Sequence, residues 1–180
     1  MYDSFFTFVT MNAALIFRKA TADECPRIME LIEAGRRQIA ATGSDQWQDG
    51  YPNRETILHD IERGWGYVLA DDDLVVAYGA VVFDGEPSYD QLEGEWVTTS
   101  SYVVLHRLAV AEERKHQGVA REFFLRVGHL ARNMGYGSFR VDTHQKNAYM
   151  RRLIEHAGFA YCGRCRYGAG ERLAFEKPLH

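Results

Sequence analysis

Between Leu15 and Glu176 the apolar residues fall into short runs whose spacing switches between alternation and helical periodicity, as strands and helices do. Leu15 to Arg18 reads as a strand. Thr21, followed three residues later by Glu24, makes a capping box ahead of Ile28, Leu31, Ile32 and Ile39 at helical spacing. Asn53 caps a second helix with Ile57, Leu58 and Ile61 along its stripe, and Gly64 and Gly66 end it. Tyr67 to Ala70 and Leu74 to Phe83 predict a hairpin turned at Asp71-Asp72-Asp73. Asp84 to Glu95 reads as a loop. Trp96 to Val110 reads as one long strand, open to a bulge, because Val97, Thr98, Thr99, Tyr102, Val103 and Val104 all favour extended backbone.

After Gly118 the positions Ala120, Phe123, Phe124, Val127, Leu130, Ala131 and Met134 mark an amphipathic helix that Gly135 stops. Ser138 to Thr143 is a strand, and Asn147 caps a helix with Met150, Leu153, Ile154 and Ala157 on one face, ended by Gly158. Phe159 to Tyr167 and Arg172 to Glu176 are two final strands joined at Gly168-Ala169-Gly170. The order β-α-α-β-β-β-α-β-α-β-β predicts an α+β or α/β domain with a mixed sheet and no internal repeat or linker.

A chain of 180 residues suits one domain. That domain is expected over residues 15–180, with residues 1–14 as an extension that packs loosely or not at all. Tyr2 to Ala14 carries Asp3 where a signal peptide has a basic start, and it is too short to span a bilayer, so neither signal nor membrane anchor is expected there. A formal charge of -4 without a dense Lys/Arg run argues against nucleic acid as a partner. Cys25, Cys162 and Cys165 leave an odd thiol under any pairing, which suits the reducing cytoplasm. Cys162-x-x-Cys165 within a strand points its thiols to opposite faces, and with no second Cys/His pair suitably spaced no metal is expected.

Chemistry concentrates in Leu105 to Ala120, where an apolar strand ends at Val110, a polar turn follows and Gly118 opens a helix. A helix start offers unpaired N–H groups and the positive end of the dipole, which suit a pyrophosphate, and Gly118 lets a ligand approach where a side chain would block it. An ordinary strand-to-helix turn would also use a glycine here. Lys115 adds a charge nearby.

Lys115-His116-Gln117-Gly118-Val119-Ala120 resembles the phosphate loop Arg/Gln-x-x-Gly-x-Gly/Ala of the GNAT superfamily of acyl-CoA-dependent N-acyltransferases, with Lys at the first position. Arg107-Leu108-Ala109-Val110 looks like that superfamily's splayed strand, and Asp142-Thr143, Asn147 and Ala157-Gly158-Phe159 extend the similarity over roughly residues 15 to 177. The resemblance implies a GNAT-like fold, a central, mostly antiparallel sheet flanked by helices, and acetyl-CoA as cosubstrate. Leu108, Ala109 and Val110 would carry the pantetheine arm, and Lys115, His116, Gln117, Gly118, Val119 and Ala120 the pyrophosphate. Asn147 would face the cofactor, whether or not it also caps its helix. The implied reaction is direct transfer of acetyl to a primary amine in a ternary complex.

An amine attacks a thioester only when neutral, so a base must take its proton. His106, just before the cofactor strand, is the candidate, with Glu95 next. The superfamily's usual general acid is a tyrosine seven residues after the Asn147 position, and here that residue is Ile154. Tyr149, Tyr161 or no acid remain, since a thiol of pKa about 8.5 leaves tolerably well as thiolate. Trp47, Tyr51 and the acidic loop Asp84, Glu86, Asp90, Glu93 and Glu95 could line an acceptor pocket for a cationic amine, the alternative being a charge-rich loop that is merely solvated. A protein or peptide acetyltransferase and a non-catalytic acyl-CoA sensor are the alternatives. Exposed terminal strands allow a homodimer.

Overall fold

The apolar runs resolve into eight strands and four α-helices over residues 15–168 and 170–180, which the computed structural model describes. In chain order these are β1 (Leu15–Lys19), α1 (Cys25–Ala41), α2 (Arg54–Glu62), β2 (Gly66–Asp71), β3 (Leu74–Val82), β4 (Glu93–Gly94), β5 (Tyr102–Val110), α3 (Val119–Asn133), β6 (Ser138–Thr143), α4 (Ala148–His156), β7 (Ala160–Tyr167) and β8 (Gly170–Pro178). The extension expected over residues 1–14, and Ala169 of the final turn, lie outside the described residues. The strands form one sheet in the order β1-β2-β3-β5-β6-β8-β7-β4. Every neighbouring pair is antiparallel except β5 and β6.

Local chemistry sets the helix starts. The Thr21 N–H donates to the Glu24 carboxylate at 2.9 Å, the back half of the expected capping box, and a 3-10 turn over Ala22–Glu24 feeds α1. Asn53 Oδ1 accepts from the Thr56 N–H at 2.9 Å, and Asn147 Oδ1 from the Met150 N–H at 3.1 Å. On one face of the sheet α1 and α2 bury Ile28, Leu31, Ile32 and Ile57 against Val68, Val75, Tyr78 and Ala109. On the other, α3 and α4 bury Phe123, Phe124, Val127 and Ile154 against Leu105, Phe139, Val141 and Phe175. Each such side chain contributes about 1.5–3 kcal/mol when fully buried, so these clusters hold β5 from both faces. Met134, expected on the buried stripe of α3, is instead the helix's C-cap and 51% exposed.

The long strand expected from Trp96 to Val110 begins only at Tyr102. Thr98 turns its N–H and hydroxyl onto the buried Glu176 carboxylate at 3.0 and 2.9 Å, and the Arg140 guanidinium lies over the rings of Trp96 and Tyr102. A buried carboxylate needs such donors, and supplying them takes the segment out of the sheet. The expected loop from Asp84 to Glu95 contains a 3-10 turn, Pro87–Gln91, and the short β4, which pairs with β7. The β7–β8 register shifts between Tyr161 and Gly163, which breaks the regular alternation there, and both Cys162 and Cys165 are buried.

Candidate active site

The site begins with a fault in β5. Tyr78 pairs with Ala109 and Ala80 with His106, so Arg107 and Leu108 stand opposite the single residue Gly79, and Arg107 adopts a φ of 57°. A Cβ on Gly79 would lie 2.8 Å from both Leu105 Cδ1 and Phe123 Cε1, so glycine is what lets α3 close onto the bulge. β5 pairs with β6 only through Tyr102–Val104, and beyond Val104 the two strands part. The gap opens into a cavity of about 730 Å³ walled by the ends of β5 and β6, the segment after α1, the start of α4 and the end of β7.

Of the expected cofactor residues, Leu108 and Asn147 line this cavity. Ala109 is buried under α1, and Val110, half-buried, pairs with Ala77. Lys115 is tied to Glu112 at 2.6 Å and Gln117 donates to the Glu113 carbonyl at 3.1 Å, so the charge expected of Lys115 is already partnered. His116 has a φ of 62° and its ring meets Tyr149 edge-on at 6.3 Å. Gly118 caps α3 with a φ of 77° and no side-chain cap, and a Cβ there would meet nothing within 4 Å. Val119 is buried and Ala120 half-buried. The first-turn N–H groups of Val119, Ala120 and Arg121 have no acceptor within the helix. This loop therefore has the donors and the room that a pyrophosphate requires. In the cavity wall the Thr143 hydroxyl is buried with no partner, a polar group suited to a ligand amide or carbonyl.

His106 also lines the cavity, and its Nε2 lies 3.1 Å from Glu86 Oε2. Glu86 is fixed by the Ser88 N–H at 3.0 Å. Burial pushes its carboxyl up, but the bonds from His106 and Ser88 outweigh that and hold it at about 2. Tyr149 sits on the exposed side of α4 against His116 and does not line the cavity, nor do Tyr161, which is exposed on β7, and Glu95. Ile154 is fully buried in the core and away from the cavity.

Trp47 and Tyr51 line the cavity as expected, but the acidic loop does not: Asp84 pairs with Arg63, Glu86 with His106 and Glu93 with Arg166. The acids that do line it are Asp45, Asp49 and Asp142. Asp142 Oδ2 accepts from the hydroxyls of Tyr89 and Tyr167, each at 2.8 Å. Burial first, and Asp142 second, push both phenols well above their ordinary range, so they remain donors. Asp142 comes from β6 and Tyr167 and Arg172 from the β7–β8 hairpin, with 25 residues between Asp142 and Tyr167, and no local spacing marks them as a group. Among the described residues no group of three His, Cys, Asp or Glu side chains could hold a metal, and no helix is long and apolar enough to cross a membrane.

The profile of the Acetyltransferase (GNAT) family matches residues 26–159. A GNAT-family acetyltransferase from Streptococcus agalactiae is 38% identical, covering 92% of this chain and 96% of its own, with a TM-score of 0.84. This chain belongs to the GNAT acetyltransferase family. Two more distant structures share the GNAT fold. One is a GNAT-family acetyltransferase from Listeria monocytogenes, at 18% identity, with 92% and 95% coverage and a TM-score of 0.72. The other is yncA of Salmonella typhimurium, solved with its cofactor acetyl-CoA, at 16% identity, with 93% and 95% coverage and a TM-score of 0.65. No curated protein matches the chain in sequence. In this GNAT enzyme the mixed sheet stands as the resemblance implied, and β5 parts from β6 ahead of the Arg107–Val110 segment that it likened to the splayed strand.

Proposed function

We propose that this GNAT enzyme transfers the acetyl group of acetyl-CoA to a primary amine of a small cationic molecule, within a single domain spanning residues 15–180. The observation that carries the reading is the placement of His106 in the wall of the cavity where β5 leaves β6, facing an enclosure built from Trp47, Tyr51, Tyr167 and Asp142. Aromatic faces and a carboxylate favour a cation. The free edge of β5 at Leu108 and the first-turn amides of α3 would hold acetyl-CoA, with Asn147 and Thr143 beside it. Acetyl-CoA supplies an activated acyl carbonyl on a thiol leaving group. His106 takes the proton the amine loses as its nitrogen bonds to that carbonyl, and the departing sulfur leaves as thiolate or takes a proton from water.

Free, buried cysteines support a reducing cytoplasmic setting. A homodimer is also proposed, supported by the edge position of β1 and its exposed Ile16, and sedimentation decides it. The test of the main reading is a panel of diamines, monoamines and peptide N-termini with acetyl-CoA, following thiol release. Diamines are expected to lead. Turnover confined to peptides would overturn the small-molecule reading, and no turnover with any amine would leave a cofactor sensor.

A further inference from the structure

We infer that Glu86 is the positioning residue for His106, fixing the imidazole in the tautomer that carries its proton on Nε2. The inference rests on the reading of His106 as the base. Glu86 Oε2 lies 3.1 Å from Nε2, and both side chains are largely enclosed, at 16% and 17% exposure. Glu86 is anchored on its other oxygen by the Ser88 N–H, at the start of the 3-10 turn Pro87–Gln91, and its own N–H donates to the Tyr102 hydroxyl at 3.4 Å. It is therefore set against the ring by its own loop. A carboxylate is an acceptor only, so the ring nitrogen that faces it must be the donor. With Glu86 held at about 2, it stays a carboxylate at every pH at which an amine is acetylated.

The neutral imidazole then keeps its lone pair on Nδ1, and that is the nitrogen able to take a proton. When the amine's N–H bond breaks, the proton moves to Nδ1, the C–N bond forms, the C–S bond breaks, and the imidazolium faces the Glu86 carboxylate across the Nε2–H bond. Without that acceptor the ring would populate both tautomers and lose its fixed orientation. The fragment from Glu86 to Gln91 thus has a task other than lining the acceptor pocket, which explains why an acidic residue in this loop is directed inward and away from solvent.

The direct test is nitrogen-15 NMR of the imidazole in the free enzyme. The parent is expected to show His106 with its proton on Nε2. Glu86→Ala is expected to show a mixture of tautomers. In Glu86→Gln the single amide oxygen serves Nε2–H or the Ser88 N–H but not both, so the variant is expected to restore the Nε2–H form in part. In kinetics Glu86→Ala should lower kcat by at least about tenfold with KM for acetyl-CoA unchanged, and Glu86→Gln should recover part of the loss. A parent protonated on Nδ1, or a Glu86→Ala variant with an unchanged tautomer, overturns the inference. So does normal kcat in Glu86→Ala while His106→Gln is slow. If the tautomers behave as expected but His106→Gln turns over normally, the base reading fails alone and Glu86 remains the residue that orients the ring.

Discussion

Arg107 grips Asp60 with two parallel hydrogen bonds, Nε to Oδ2 at 2.8 Å and Nη2 to Oδ1 at 2.6 Å, from a backbone position that only the β5 bulge provides. Asp60 is 1% exposed and also accepts from the Tyr78 hydroxyl at 2.7 Å, while Arg107 Nη1 donates to the Tyr51 hydroxyl at 2.6 Å. One ion pair thus joins α2, β3, β5 and the segment before α2. A left-handed non-glycine residue costs of order 1–3 kcal/mol, and charge-assisted paired bonds offset it. The bulge in β5 is held by this contact.

Breaking the pair from one side should be severe, because it leaves a buried charge without its partner. Arg107→Ala is expected to lower unfolding free energy by about 3–5 kcal/mol, measured by urea denaturation. Asp60→Asn keeps one oxygen for Tyr78 and Arg107 Nε but turns an NH2 donor toward Arg107 Nη2 and leaves the guanidinium without its counter-charge, so its loss should be of the same order. Because the two residues share one contact, the double variant should lose less than the sum of the singles. Additive losses would show that the residues act separately.

Gly118 tests the cofactor loop. Its φ of 77° means any side chain brings strain of about 1–2 kcal/mol, but a Cβ would meet no protein atom within 4 Å, so the fold should survive. The open space is where a pyrophosphate would lie. Gly118→Ala should weaken acetyl-CoA binding and Gly118→Val abolish it in calorimetry. Unchanged affinity in a folded Gly118→Val protein would place the cofactor elsewhere.

Ile154 occupies the position where the resemblance sets a tyrosine acid, and there the structure redirects the expectation. The side chain is 0% exposed and packs in the core beneath the sheet. Ile154→Tyr should overpack that core, destabilise by about 1–3 kcal/mol and bring no gain in kcat. A faster enzyme of normal stability would show that the new hydroxyl reaches the leaving sulfur.

What the sequence made legible was whatever periodicity or a contiguous motif could carry. The α3 stripe from Phe123 to Ala131, the capping of α2 by Asn53 and of α4 by Asn147, and the glycine at the start of α3 all rest on neighbours within a few residues. The acceptor side of the cavity does not. Asp142 meets Tyr89 and Tyr167 across separations of 53 and 25 residues, and Arg107 meets Asp60 across 47. The β-prone run from Trp96 was misleading for the same reason, since Glu176, 78 residues beyond Thr98, draws that segment out of the sheet. Long-range polar satisfaction overrode local propensity in each case.

The choice of acceptor should depend on Asp142. It stands at the end of β6, half-buried, with Oδ2 held by two tyrosine hydroxyls whose protons stay in place, so the carboxylate is fixed in direction and faces the cavity. The cavity also holds Arg172, while Arg107 is already neutralised by Asp60. Asp45, with 84% of its side chain exposed, is screened by water and can steer a cation but scarcely fix one. A diamine with one neutral nitrogen toward His106 would therefore place its remaining charge toward Asp142, whereas a monoamine has no second charge to place. Asp142→Asn keeps the shape and can still accept from Tyr89 and Tyr167, so thermal stability should change little. Its kcat/KM for a diamine should fall by about 10–100-fold, mainly through KM, while that for an uncharged-tail monoamine and the affinity for acetyl-CoA stay near parental values; charge-assisted bonds of about 1.5–3 kcal/mol set that range. An equal fall for both amines would make Asp142 a structural partner of the tyrosines, and no fall for either would move recognition of the acceptor's charge to the mouth of the cavity.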